Sequence, residues 1–325
     1  MKLATYPGPT RDGRLVVVSR DLTRAAPAHD LAPTLLAAVE QWDDVADGLA
    51  ARAEELEEGS AIGEFAFDPE EALAPLPRSP QWLDGSVFQT HLDLMAQALH
   101  PDKPNESTDW PYVYQGASDD FLGARADIAG YRLDEGIDFE GEFAVIVGEV
   151  PMRVTPDEAL GHIRLLMLCN DVSLRAYAGP EVRVGFGFLR AKPSTVFSSV
   201  AVTPDELGGA WRDGRVHLPL RVNRSGEWFG HPHGSQMTFH FGDLVAHTAT
   251  TRRLSAGTIV GSGTVSNDDR SVGSACIAER RAIEIIADGA PTTTFLGHGE
   301  EVHMEVLDAD GRSVFGEIRN RVVVA

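Results

Sequence analysis

The chain has 325 residues, a formal net charge of −21 and a hydrophobic content of 43%, enough apolar sequence to bury a substantial core. So acidic a balance disfavours phosphate backbones and anionic membrane surfaces, which need basic patches, and neither nucleic acid nor membrane is expected as a partner. No window is long and apolar enough to span a bilayer and the opening MKLATYPGPTRDGR lacks the apolar run of a secretory signal, so the expected location is cytoplasmic.

Two short strands, Leu3 to Tyr6 and Leu15 to Ser19, open the chain around a turn at Asp12-Gly13. Two helices follow, one from near Pro33 through TLLAAVEQW and one over DDVADGLAARAEELEEG that stops at Gly59. The Pro-rich FDPEEALAPLPRSP reads as a linker and sets the expected boundary between a small N-terminal accessory domain, residues 1–76, and a larger one, residues 77–325. SVFQTHLDLMAQAL predicts a helix. TPDEALGHIRLLML predicts a short helix with Thr155 as N-cap and Glu158 closing a capping box, passing into a strand over Leu165 to Cys169. VTPDELGG at Val202 to Gly209 nearly repeats VTPDEALG at Val154 to Gly161, but no longer self-similarity surrounds them, which points to convergent capping. From Val216 onward strands dominate: VHLPLRV, GEWFG, AGTIVGSGTV, RAIEIIA and a closing hairpin, EVHMEVLDADGRSVFGEI, turning near Asp310-Gly311. One helix, around GDLVAHTATTR, interrupts them, and the sum is a strand-rich α+β chain.

The stretch GIDFEGEFAVIVGEV reads as a buried strand, yet it carries Glu140 and Glu142. Being two apart on a strand, they face the same side. Buried carboxylates held together need a cation, an arginine or shared protonation, and their oxygens suit hard ions such as Mg²⁺, Ca²⁺ or Mn²⁺ better than zinc. Taken alone, the pair favours a half-exposed edge strand on which both glutamates face water. Asp171 directly follows the apolar LLMLCN, at a strand end where active sites are often built, although Asn-Asp also forms turns. In WLDGSVFQTHLDL, Asp84 and His91 lie seven apart, two turns of one face if the stretch is helical. Lysine occurs only as Lys2, Lys103 and Lys192, which singles out Lys192 in a chain that otherwise uses arginine. Cys169 and Cys276, the only cysteines, read as buried apolar fillers. His231 and His233 in HPHG read as a surface loop, GFGF and GSG lack a nucleotide-binding context, and no Gly-x-Ser-x-Gly elbow is present.

From about Gln81 to the last strands, the chain resembles the fumarylacetoacetate hydrolase family. DFEGEFAVIVG resembles its paired-glutamate strand, LMLCNDVSLR its Asn-Asp-x-Ser-x-Arg segment, RAKPSTVF its lysine segment and LSAGTIVGSGTVS its Gly-Thr strand and turn. The N-terminal region resembles the small accessory domain of longer members. The resemblance implies a mixed β-sandwich roll catalytic domain, a homodimer, and Mg²⁺ or Ca²⁺ held by Asp84, Glu140, Glu142 and Asp171. It also implies His91 as the water-activating base, Lys192 and Arg175 at the oxyanion, and Tyr114, Thr264 and Arg175 as substrate contacts. Two positions depart from the family pattern: Ala178 replaces a glutamine, and the family's His-orienting glutamate aligns with Ile277, leaving Glu279 out of phase if that segment is a strand. The expected activity is metal-dependent hydrolysis of a carbon–carbon bond in a β-diketone or acylpyruvate, as in aromatic catabolism. The alternatives are a 2-oxo acid hydratase, decarboxylase or tautomerase, and a non-catalytic metal- or small-molecule-binding protein.

Overall fold

The structure, a computed structural model, describes residues 1–99 and 109–325. The N-terminal hairpin forms as β1 (Lys2–Tyr6) and β2 (Arg14–Val18), extended by β3 (Arg24–Pro27). Helix α1 (Leu35–Glu40) starts on Thr34, whose hydroxyl accepts the Ala37 N–H at 3.1 Å, and α2 (Trp42–Glu57) buries Val45, Leu49 and Leu56; β4 (Phe65–Ala66) follows. Next come β5 (Trp82–Ser86), α3 (Gln89–Leu99), β6 (Tyr112–Gly116), β7 (Ile128–Tyr131), β8 (Ile137–Asp138) and β9 (Gly141–Val147). The expected capping box of Thr155 and Glu158 starts α4 (Pro156–Leu160), which leads through β10 (Ile163–Asn170) and β11 (Ser173–Leu174) to α5 (Arg175–Val184). The chain continues through β12 (Val196–Phe197), β13 (Ala201–Val202), β14 (Trp211–Arg212), β15 (Arg215–Val216), β16 (Arg221–Arg224) and β17 (Glu227–Gly230). It closes with α6 (Phe241–Thr248), β18 (Ile259–Gly261), α7 (Ile277–Asp288), β19 (Glu301–Glu305) and β20 (Ile318–Val324).

Two sequence expectations change. RAIEIIA is not a strand but the body of α7: Ile277, Ala278 and Ala282 are buried at helical spacing, and Gly289, at φ +83°, ends the helix in a left-handed turn. Nor is WLDGSVFQTHLDL one helix, because Asp84 lies on β5 and His91 on α3. Trp82 to Asp84 pair with Ile259 to Gly261 of β18, and that ladder outweighs local helical spacing.

The main sheet runs β4-β3-β2-β1-β13-β10-β9-β18-β5-β6, with β12 also on β10. Its two faces follow from the alternation of side chains along a strand. Ala144, Ile146, Leu165, Met167 and Leu3 face Leu35, Val39 and Leu49 of the two N-terminal helices. Val145, Leu166 and Leu168 face the opposite way and join one core with Val222, Met304, Ile318 and Val322 from a second sheet, β17-β16-β19-β20-β7. The result is a strand-rich α+β sandwich, in which each fully buried aliphatic side chain contributes about 1.5–3 kcal/mol of transfer free energy. Among the described residues, no helix is long and apolar enough to cross a membrane.

Candidate active site

The register of β9 and β10 sets Glu142 opposite Cys169 and Gly141 opposite Asn170, so the end of β10 delivers Asp171 beside the start of β9. Asn170 locks this junction: its side chain accepts the Glu140 N–H at 3.1 Å and donates to Asn320 at 3.1 Å. Asp171 N–H in turn donates to the Glu140 carbonyl at 2.9 Å. β5 lies parallel to β18 with Asp84 opposite Gly261. A Cβ at Gly261 would stand 2.3 Å from Asp84 Oδ1, and one at Gly263, whose φ is +74°, would stand 2.3 Å from the Gly85 carbonyl. Gly263 N–H donates to Asp84 Oδ1 at 3.1 Å. The GSG sequence, bland by motif, is therefore the seat of Asp84.

Asp84, Glu142 and Asp171 are buried, and each offers a carboxylate oxygen within 4.8 Å of the others. Glu140 stands beside this trio with two cationic partners: Lys192 Nζ lies 2.6 Å from its Oε2, and Arg175 Nη2 donates to its Oε1. Lys192 Nζ also lies 2.6 Å from Asp171 Oδ2, so it bridges Glu140 to the trio. The Tyr114 hydroxyl donates to Asp171 Oδ2 at 2.6 Å and the Thr195 hydroxyl to Oδ1 at 2.8 Å. Arg175 Nε donates to Asp138 at 2.8 Å, while Asp138 accepts the Ile277 and Ala278 N–H groups at 2.8 and 2.9 Å. A fully buried aspartate thus caps α7 and aims Arg175 at once. Thr264 is buried just beyond β18 and makes no hydrogen bond to the carboxylates among the described residues.

His91 Nδ1 lies 2.9 Å from Glu279 Oε2. The helical form of α7 corrects the expected phase: Glu279 sits in its first turn, its N–H accepted by the Cys276 sulfur at 3.3 Å, and its carboxylate turns toward α3. An ionised Glu279 holds the proton on Nδ1 and leaves Nε2 as the basic nitrogen. A protonated His91 would favour the Glu140 anion, which puts the pair within electrostatic reach of the carboxylate site. Asp138 and Thr195 escape sequence reasoning, and Glu279 enters it only as a residue out of phase. For Glu279 a signal existed, since Cys276 with Glu279 three residues on mimics a capping pattern with cysteine in place of serine. His231 is exposed and His233 caps a short 3₁₀ turn through the Ser235 N–H, in keeping with their bland reading.

Five carboxylates, Asp84, Asp138, Glu140, Glu142 and Asp171, face two cations, Lys192 and Arg175, and the excess of negative charge is felt unevenly. Burial, followed by repulsion from Asp171, raises the Asp84 carboxyl well above its ordinary range; burial and then Asp84 do the same for Glu142. Burial also opposes ionisation of Glu140, but Lys192 and Arg175 outweigh it and hold that carboxyl low. Burial disfavours the charged forms of Lys192 and Arg175, and the carboxylates overcome it, raising both. Glu142 Oε1 is buried with no hydrogen-bond partner. An orphaned carboxylate oxygen in an all-oxygen trio fits a hard divalent cation, which would neutralise the repulsion that raises Asp84 and Glu142.

The fold and this donor set define an α+β sandwich enzyme with an acid–base centre suited to a divalent metal ion. The family profile described as Fumarylacetoacetate (FAA) hydrolase C-terminal matches residues 81–323, and that described as Fumarylacetoacetase N-terminal domain 2 matches residues 1–78. The chain belongs to the fumarylacetoacetate hydrolase family. Over 215 residues, 63% of this chain, it is 23% identical to oxaloacetate tautomerase YisK of Bacillus subtilis (strain 168), and the match spans 66% of that protein, just under two thirds of its length. The structure of maleylpyruvate hydrolase from Sphingobium sp. SYK-6 in complex with manganese(II) ion and pyruvate superposes with a TM-score of 0.66 at 14% identity, covering 100% of both chains. The 2-hydroxyhepta-2,4-diene-1,7-dioate isomerase from Mycobacterium marinum superposes with a TM-score of 0.61 at 16% identity, covering 100% of this chain and 98% of the other. At these identities the two structures establish a shared fold.

Proposed function

We propose that this chain hydrolyses a carbon–carbon bond in an acylpyruvate or related β-diketone. The observation that carries the reading is the His91–Glu279 pair beside the carboxylates, because an oriented base at that place serves to activate water. Asp84, Glu142 and Asp171, with Glu140 alongside, hold the metal ion in this reading. A bound Mg²⁺, Ca²⁺ or Mn²⁺ would supply a chelating centre for the substrate's two oxygens and polarise the carbonyl.

His91 Nε2 takes a proton from water, and the oxygen adds to the acyl carbonyl carbon. The Lys192 ammonium, fixed by Glu140 and Asp171, stabilises the negative charge that develops on the carbonyl oxygen, assisted by Arg175. The carbon–carbon bond then breaks, its electron pair passing to the pyruvate half as an enolate, which takes up the proton held by His91. The products are a carboxylic acid and a 2-oxo acid. Tyr114 and Thr264 line the substrate's approach in this scheme. The same reading assigns residues 1–76 as accessory and 77–325 as catalytic, in a cytoplasmic homodimer.

The similarity to an oxaloacetate tautomerase favours a second reading, in which the same carboxylates support enolisation, decarboxylation or hydration of a 2-oxo acid without cleavage by water. An ultraviolet assay separates the two. Metal-dependent loss of absorbance on a panel of acylpyruvates, with acid and 2-oxo acid products and at least about a hundred-fold slowing in His91→Ala, is the expected result. Turnover that releases no acid, or that survives in His91→Ala, would transfer the assignment to the second reading.

A further inference from the structure

Lys192 Nζ stands 2.6 Å from both Glu140 Oε2 and Asp171 Oδ2, and charge-assisted bonds that short tolerate little drift of the backbone behind them. The chain reaches Lys192 from α5 through a segment with few anchors of its own. It leaves the helix at Gly185, φ +79°, and passes Gly187, φ +97°, and at both the space a Cβ would occupy is open. Phe186 is 96% exposed and Leu189 84%, so the apolar side chains that ordinarily pin such a segment face outward. Phe188 meets the Tyr114 ring edge-on with centroids 5.2 Å apart, and the Arg190 guanidinium lies over the Tyr177 ring, 4.2 Å from its centroid. Neither contact satisfies the backbone N–H groups of the segment.

Glu181, in the last turn of α5, does so. Its Oε2 accepts the Leu189 N–H at 2.9 Å and the Ala191 N–H at 3.1 Å, while its Oε1 accepts the Arg190 N–H at 2.9 Å. Three successive donors converging on one anion form a nest, and the next residue in the chain is Lys192. A carboxylate in the last turn of a helix opposes the helix dipole, so helix formation gives no reason for Glu181 to be acidic, and the nest does. On the far side of that nest the Ala191 carbonyl accepts the Leu174 N–H of β11 at 2.8 Å, and Ala191 is fully buried. The peptide that leads into Lys192 is therefore held from α5 on one side and from β11 on the other.

We infer that Glu181 is a positioning residue: by gathering the three N–H groups that precede Lys192, it sets where the Lys192 ammonium stands between Glu140 and Asp171. The inference rests on the role given to Lys192 in the hydrolytic reading above. Glu181 touches none of the carboxylates and acts on the reaction only through the backbone of residues 189–191.

The test is a double-mutant cycle on acylpyruvate cleavage, using the full chain with excess Mg²⁺. Glu181→Gln leaves at least one N–H facing an amide donor, and kcat should fall by about ten-fold, the scale of one charge-assisted hydrogen bond, with KM little changed. In a Lys192→Met background the same change should alter kcat by less than about two-fold, because the group it positions is gone. Losses that multiply in the double variant, or a Glu181→Gln enzyme as fast as wild type, would overturn the inference. Glu181→Asp, which keeps the anion one methylene short, should lose less than Glu181→Gln; the reverse order would show that side-chain length rather than charge matters and would sink the nest. Amide hydrogen exchange followed by mass spectrometry gives a readout independent of turnover. Glu181→Gln should speed exchange at residues 189–191 by about ten-fold or more while α7 and β9 keep their protection. If no acylpyruvate is cleaved, the hydrolytic reading fails by itself, and the same cycle is run on oxaloacetate enolisation, where faster exchange with a non-multiplying loss leaves the positioning role standing. Exchange at residues 189–191 that is unchanged in Glu181→Gln overturns it whatever the turnover.

Discussion

Glu279 and Lys2 show how much a side chain's meaning depends on partners remote in sequence. Glu279 reaches His91 across 188 positions, and Asp138 reaches the Ile277 N–H across 139, so neither relation is visible in any local window. Glu140, Glu142 and Asp171 were legible because each sits in a short run whose apolar context makes a charge conspicuous. Replacing Glu279 with Gln keeps its volume and removes the anion that orients His91. The expected outcome is a fall in kcat of about ten- to a hundred-fold with metal affinity unchanged, checked by steady-state kinetics beside metal titration. An equal loss of metal affinity would place Glu279 among the cation's ligands instead. Lys2 poses a different case, since its ammonium is buried and tied to the Ser313 and Val314 carbonyls at 2.8 and 2.7 Å. Burial pushes it down from 10.5 to about 8, against the opposing pull of Glu206. Below pH 8 both folded and unfolded chains hold this proton; between the two values the unfolded chain holds more of it, so rising pH favours the folded state. The stability difference between wild type and Lys2→Met should therefore shift toward wild type from pH 8 to 10, by up to about 1.4 kcal/mol per pH unit. Denaturant melts across that range check it, and a flat difference would show that Lys2 titrates normally.

Among the elements, α4 and the closing hairpin formed where capping and turn residues predicted them, because those signals act within a few residues. α7 did not, because an isoleucine-rich run carries strand propensity and its helical form is decided by packing against α3 and capping by Asp138. The turn after β18 shows the same dependence. Gly263 combines a left-handed φ of +74° with an approach that leaves no room for a Cβ, and its N–H holds Asp84. Gly263→Ala should cost about 1–3 kcal/mol in backbone strain, with further loss from the contact, and should weaken metal binding by displacing Asp84. Thermal melts and metal titration measure the two effects separately; full metal affinity in a destabilised variant would show that Asp84 is positioned by β5 alone.

The whole molecule is joined through its main sheet. β1 pairs with β13, and Leu3 enters the same core as Trp82, Ile146 and Met167, so the first strands and the strands that bear the carboxylates are one hydrogen-bonded array. Leu3→Ala should cost about 2–5 kcal/mol as a cavity and lower the stability of the entire chain in a single transition, seen alike by far-ultraviolet dichroism and tryptophan fluorescence. Two separated transitions would show that the N-terminal segment unfolds on its own. The linker composition of FDPEEALAPLPRSP predicts a domain boundary at this place, and the strand pairing that joins the two sides is a contact between distant segments that leaves no mark on linker composition. The sequence by itself determined the strand-rich α+β class, the helix caps and the family to which the chain belongs, since alternation, capping and motif order are local and additive along the chain. Only the tertiary structure decided that Glu279 meets His91 and that Lys192 bridges Glu140 to Asp171. Those relations arise when packing brings together groups far apart in sequence, and burial then strengthens their electrostatic coupling.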